Sequence, residues 1–89
     1  MLTLPRISQF KKDYKRCVKR GCEIEKLHAV IELLANGKKL DAKYKDHSLL
    51  GDYRDYRECH IEPDWLLIYK LTEYELTLIR TGTHTDLFE

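Results

Sequence analysis

The sequence predicts an α+β fold: a short N-terminal strand, a two-helix hairpin and a three-strand antiparallel meander with the helices packed on one face. Three observations carry that prediction. Apolar residues recur at helical spacing between residues 8 and 36. From Tyr53 onward the pattern becomes that of strands. The connections between those strands are only three residues long, which forces antiparallel neighbours.

The elements follow in order. Leu2–Arg6 (LTLPR) reads as the short first strand, and Pro5 restricts it to an edge or a bulge. Ser8 is the expected N-cap of a helix whose apolar residues are Phe10, Tyr14, Cys17 and Val18, with basic residues over the remainder. Gly21 stops it by tolerating positive φ. In the second helix Ile24, Leu27, Ile31 and Leu34 are spaced 3, 4 and 3, and Asn36-Gly37 ends it. Two short amphipathic helices need another layer to bury their stripes. The strands are Tyr53–Ile61, Trp65–Leu71 and Glu75–Thr81, joined by Glu62-Pro63-Asp64 and Thr72-Glu73-Tyr74. The middle run, WLLIYKL, is apolar at almost every position, as a central strand covered on both faces requires.

Eighty-nine residues are expected to form one domain, 1–89. No apolar stretch is long enough to span a bilayer, and the first residues lack the pattern of a secretion signal, so no membrane partner is expected. Cys17, Cys22 and Cys59 are an odd number without a CxxC pair and read as free thiols of a reducing cytoplasm. The net charge of +1 conceals an asymmetry. Residues 1–45 hold twelve Lys and Arg against five Asp and Glu, whereas residues 46–89 hold four against ten. A basic half can steer a protein onto polyanions, although such runs are also common on solvated helix faces.

His47, His60 and His84 all fall in the second half, outside both helices. His47 is expected in the loop before the sheet, His60 near the end of the first meander strand, and His84 just past the last. In an antiparallel meander the end of the first strand lies beside the start of the second and the end of the third. His60, Asp64, Trp65 and His84 should therefore gather at one end of the sheet. Metal-free RNA cleavage needs a base for the 2′-OH, an acid for the departing oxygen and a cation for the phosphate. Histidine, with an ordinary pKa of about 6.5, can be either acid or base, and arginine can grip two phosphate oxygens.

On the residues alone a structural role for these histidines stays open. Arg80 and Arg57 are the available cations, but Arg57 lies on the opposite strand parity from His60, which favours a structural ion pair. Cys59-His60 with His84 matches no compact zinc pattern, so neither metal nor cofactor is expected. His28 reads as packing or surface. Trp65, Tyr53, Tyr56, Tyr69 and Phe88 could stack bases or fill the core.

The stretch YKDHSLLGDYRDYRECHIEPDWLLIYKL, followed by LIRTGTHTDLF, closely resembles the YafQ-like branch of the RelE/ParE toxin superfamily. The resemblance covers nearly the full chain. It implies a RelE-like fold and the toxin of a type II toxin–antitoxin system: a ribosome-dependent endoribonuclease that cuts messenger RNA in the ribosomal A site. A cognate antitoxin would hold it inactive, in a higher-order complex able to bind operator DNA through the antitoxin. His47, His60, Asp64, His84 and Arg80 match the expected catalytic positions. Trp65, Phe88 and Lys45 match positions that line or support the substrate site. His60 or Asp64 would be the base, His84 the acid, and Arg80 the phosphate grip. The resemblance also gives the basic first helix a role, with Lys11, Lys12, Lys15 and Lys19 against ribosomal RNA. Ser48 departs from the proline that relatives often carry after the histidine, which implies a looser loop.

Two rivals differ in class. A ParE-like, gyrase-directed toxin on the same fold needs no acid–base histidines, and a non-catalytic antitoxin-binding co-repressor needs no intact site. Fold alone cannot choose among them.

Overall fold

The computed structural model describes residue 2, residues 4–51 and residues 55–88. In chain order these form helix α1 (Ser8–Arg20), helix α2 (Ile24–Ala35), a 3₁₀ turn (Ala42–Tyr44), strands β1 (His47–Ser48), β2 (Arg57–Glu62), β3 (Trp65–Leu71) and β4 (Leu76–Gly82), and a five-residue helix, α3 (His84–Phe88). The sheet has the order β1-β2-β3-β4 and is antiparallel throughout.

The helical hairpin forms as its pattern requires. Gly21 (φ 79°) and Gly37 (φ 71°) take the left-handed conformation that ends each helix. The following residue closes the motif in both: Cys22 N–H donates to the Cys17 carbonyl (3.1 Å) and Lys38 N–H to that of Leu33 (2.9 Å). At the start of α1 the N-cap is Ile7, not Ser8, and no side chain caps it. Phe10 and Cys17 face inward as spaced, but Val18 is 53% exposed, because a step of one residue past Cys17 rotates about 100° off the stripe.

α1 and α2 cover one face of the sheet. Their Phe10, Cys17, Leu27, Val30 and Leu34 meet Cys59, Ile61, Trp65, Leu67, Tyr69, Leu76 and Leu78 in one core. Residues Trp65 to Tyr69 are all buried, as a central strand's apolar run demands.

Three boundaries differ from the sequence reading. The N-terminal segment makes no strand among the described residues. It meets β4 at a single parallel bridge, Arg6 to Leu78, where Leu78 N–H donates to the Pro5 carbonyl (3.1 Å). His47 lies in a two-residue edge strand rather than a loop. The first meander strand begins at Arg57; its expected start at Tyr53 lies outside the described residues.

β4 is the other edge, and two of its outward donors are taken up. Pro5 accepts from Leu78, and the Asp13 carboxylate of α1 accepts from Thr81 N–H (3.2 Å). Each donor so engaged is withdrawn from pairing with a further strand.

Candidate active site

Register brings the candidate residues together. His60 pairs with Leu66, and Leu66 with Gly82, so the end of β2 and the end of β4 flank the start of β3. The neighbouring row runs across all four strands as His47, Glu58, Ile68 and Arg80. A register shift between His60 and Glu62 marks a bulge beside the hairpin Pro63-Asp64, a device that re-aims side chains.

His60 neighbours both of the other imidazoles. Ring centroids are 6.5 Å apart for His47 and His60 and 5.9 Å for His60 and His84, with Phe88 a further 6.4 Å from His84. Each ring is tied at Nδ1 to an oxygen: His47 to the Lys45 carbonyl (2.6 Å), His60 to the Pro63 carbonyl (3.2 Å) and His84 to Asp64 Oδ1 (2.9 Å). A carbonyl oxygen only accepts, and so does an ionised carboxylate, so each Nδ1 carries the proton and donates. That fixes the tautomer and leaves Nε2 as the working nitrogen of all three rings.

Asp64 holds His84 twice, since its Oδ1 also accepts from the backbone N–H of His84 (3.1 Å). These bonds, the backbone one first and the ring one second, keep the Asp64 carboxyl below the usual aspartate range. Asp64 is thus an ionised brace for the imidazole.

Glu58 escaped the sequence reading. It is 6% exposed, and its Oε1 lies 3.4 Å from His47 Nε2 and 3.8 Å from His60 Nε2. That carboxylate pairs with whichever of the two rings carries a proton on Nε2. The signal was present: Glu58 shares strand parity with His60, two residues away.

Arg80 is committed to Asp13, with Nε 2.6 Å from Oδ2 and Nη2 3.2 Å from Oδ1. Asp13 is wholly buried and also accepts from Arg16 (3.1 Å) and Thr81 N–H. The bond to Asp13 raises the Arg80 pKa, so the guanidinium is permanently charged and rigidly placed. Trp65 is buried (6% exposed), its indole N–H donating to Thr81 Oγ1 (2.9 Å), so it braces the end of β4 from within the core. Phe88 is 51% exposed beside His84. Lys45, at φ 49°, borders a groove of about 450 Å³ that also takes in His60, Tyr44 and Glu62. Lys11, Lys12, Lys15 and Lys19 are exposed along α1.

The other residues singled out lie elsewhere. Arg57 pairs with Asp46 (2.9 Å) and donates to Ser48 Oγ (2.8 Å), while Tyr69 OH donates to Asp46. Ser48 is therefore anchored on β2, and the segment bearing His47 is tied down rather than loosened. His28 bonds Tyr14 OH (2.7 Å) between the two helices. Burial pushes the thiols of Cys17 and Cys59 up to about 12, which removes both as nucleophiles. Among the described residues no three His, Cys, Asp or Glu side chains converge as metal ligands would.

Residues 2–89 match a family described as the bacterial toxin of type II toxin–antitoxin system, YafQ. The chain is 49% identical over 81 residues to the mRNA interferase toxin YafQ of Escherichia coli K12, covering 90% of this chain and 88% of that one. It is similar in fold to a chain of the crystal structure of the E. coli DinJ–YafQ toxin–antitoxin complex, with a TM-score of 0.93 and 45% identity over 99% of this chain and 98% of that one. It is likewise similar to a metal-bound toxin from Helicobacter pylori, with a TM-score of 0.92 and 44% identity over 99% of this chain and all of that one.

Proposed function

The chain belongs to the YafQ family of bacterial toxins from type II toxin–antitoxin systems, and from that premise we propose that it is an mRNA interferase cutting message in the ribosomal A site by metal-free acid–base chemistry. The observation that carries the chemistry is the cluster of three neighbouring imidazoles, each held at Nδ1.

The roles divide by partner. His60, with Nε2 unprotonated in the neutral ring, takes the proton of the ribose 2′-OH. The 2′-oxygen attacks the adjacent phosphorus, and the P–O5′ bond breaks. His84, braced by ionised Asp64, gives a proton from Nε2 to the leaving 5′-oxygen. The braced carboxylate, held below the usual aspartate range, is a poor base, and that favours His60. Arg80 grips the phosphate with the N–H groups that Asp13 does not engage, and Glu58 orients His47 and His60. Lys45 and Phe88 flank the path of the strand as contacts to phosphate and base, with Trp65 supporting them. An internal 2′-OH nucleophile needs no metal and restricts the substrate to RNA.

The partners proposed are messenger RNA, the ribosome and a cognate antitoxin, since the similar E. coli toxin is seen in a complex with DinJ. The basic face of α1, with Lys11, Lys12, Lys15 and Lys19, meets ribosomal RNA. Cytoplasmic residence goes with these partners.

Replacing the single ribose 5′ of the cut by 2′-deoxyribose in ribosome-bound message tests the reaction. Cleavage should disappear at that bond, and the all-ribose message should yield a 2′,3′-cyclic phosphate or 3′-phosphate with a 5′-hydroxyl. Cleavage of the deoxy message at an undiminished rate contradicts the mechanism. Toxin stripped with EDTA and desalted before the assay should keep its full rate.

A further inference from the structure

We infer that Asp86 is a positioning residue for His84, fastening the short helix that carries the imidazole to its own N-cap and to α1. The inference rests on the reading of His84 as proton donor.

Helix α3 has five residues, His84–Phe88. A helix that short does not hold itself in water, because nucleation fixes several dihedrals for very few hydrogen bonds. Something outside its own ladder must keep His84 where Nε2 is useful. Asp64 grips the ring and the N–H of His84, but it sits in the β2–β3 hairpin and touches only the first helical residue.

Asp86 supplies the rest. Thr83 and Asp86 form a reciprocal capping box: Thr83 N–H donates to Asp86 Oδ2 (3.0 Å), and Asp86 N–H donates to Thr83 Oγ1 (3.1 Å). With Leu87 N–H on the Thr83 carbonyl (3.1 Å), the first turn is closed around the residue that bears the imidazole. The same carboxylate receives Arg20 through two nitrogens, Nη1 to Oδ2 at 2.7 Å and Nη2 to Oδ1 at 3.2 Å. Arg16 lies 3.8 Å from Oδ2. A bidentate guanidinium fixes direction as well as distance, so α3 is pinned to the C-terminal turn of α1.

The backbone is shaped for this contact. Gly82 has φ +155°, and a Cβ there would lie 2.9 Å from both Cβ and Oδ2 of Asp86. Only glycine allows Asp86 so near the strand end. The Asp86 side chain, 11% exposed, ties α3 to α1 beside the end of β4.

The experiment compares Asp86→Ala, Asp86→Glu, Arg20→Ala and His84→Ala with wild type in steady-state cleavage of ribosome-bound message. Circular dichroism checks folding, and the histidine ring signals are followed by NMR in the free toxin. Asp86→Ala should lower kcat on the order of 10- to 100-fold, because a displaced catalytic group loses near-attack geometry. KM should stay within about twofold, as the loss is confined to the reacting state. Asp86→Glu, which can rebuild the capping box, should recover most of kcat. The His84 ring signals should shift or broaden in Asp86→Ala and Arg20→Ala, with those of His47 unmoved. Wild-type kcat in Asp86→Ala, or a loss carried by KM alone, or unmoved His84 signals, overturns the inference. Inactive His84→Ala beside fully active Asp86→Ala rejects the clamp alone, whereas fully active His84→Ala rejects the proton-donor role and the inference with it.

Discussion

Fixing Nδ1 of each histidine on an acceptor is what turns three ordinary imidazoles into a directed set. The carboxylates that support them leave a mark on stability. Asp86 is held far below the ordinary aspartate value of 3.8, first by Arg20 and then by the Thr83 N–H, and Asp64 is shifted the same way by His84. A depressed folded-state pKa means that the unfolded chain binds more protons. The contribution is therefore complete above about pH 5 and is lost as pH falls through the folded value. Urea denaturation at pH 6 and pH 3 should show wild type losing stability, and Asp86→Asn losing less over the same interval. Equal losses in the two proteins would contradict the assignment. The cap contributes about 1 kcal/mol and Arg20 is about half exposed to solvent, so the effect is modest.

Much of this scale was legible in the sequence. Topology alone gathers His60, Asp64 and His84, and strand parity separates Arg57 from them. Asp13 was not read, yet it lies three residues after Phe10 and four before Cys17, on the buried stripe itself. A charge at an inward helix position announces a buried ion pair, and that pair is what engages Arg80.

At the scale of elements, long periodic segments were readable and short ones were not. WLLIYKL spans β3 as expected, and both glycine stops fall where positive φ ends a helix. β1 has two residues and α3 five, too few for any periodicity to show. Their boundaries are set by tertiary partners: β1 by pairing with Arg57 and Glu58, α3 by Asp64, Asp86 and Arg20. The T-x-x-D box at Thr83 was the one local sign of α3. Among the described residues the N-terminal segment pairs with β4 only through the Pro5 carbonyl and the Arg6–Leu78 bridge, and Pro5 has no N–H with which to extend the ladder.

At the scale of the whole molecule, the fold separates two chemistries that the sequence also separates. The basic half becomes the helical layer, with Lys11, Lys12, Lys15 and Lys19 exposed on α1, and the acidic half becomes the sheet that carries the histidines. A lysine face neutralises phosphates by releasing counterions, so its binding weakens steeply with salt. Reversing the charges of Lys12, Lys15 and Lys19 should weaken ribosome binding in a pelleting assay, flatten its salt dependence and leave the fold intact, since none of these side chains is buried. Unchanged ribosome affinity would refute that use of the helix.

The chemistry itself is tested most directly by the rate at which folded His60→Ala and His84→Ala cut ribosome-bound message in vitro. A positioned acid or base contributes about 10²- to 10⁴-fold, so each variant should fall by at least about 10². Wild-type cleavage by both would contradict the histidine mechanism.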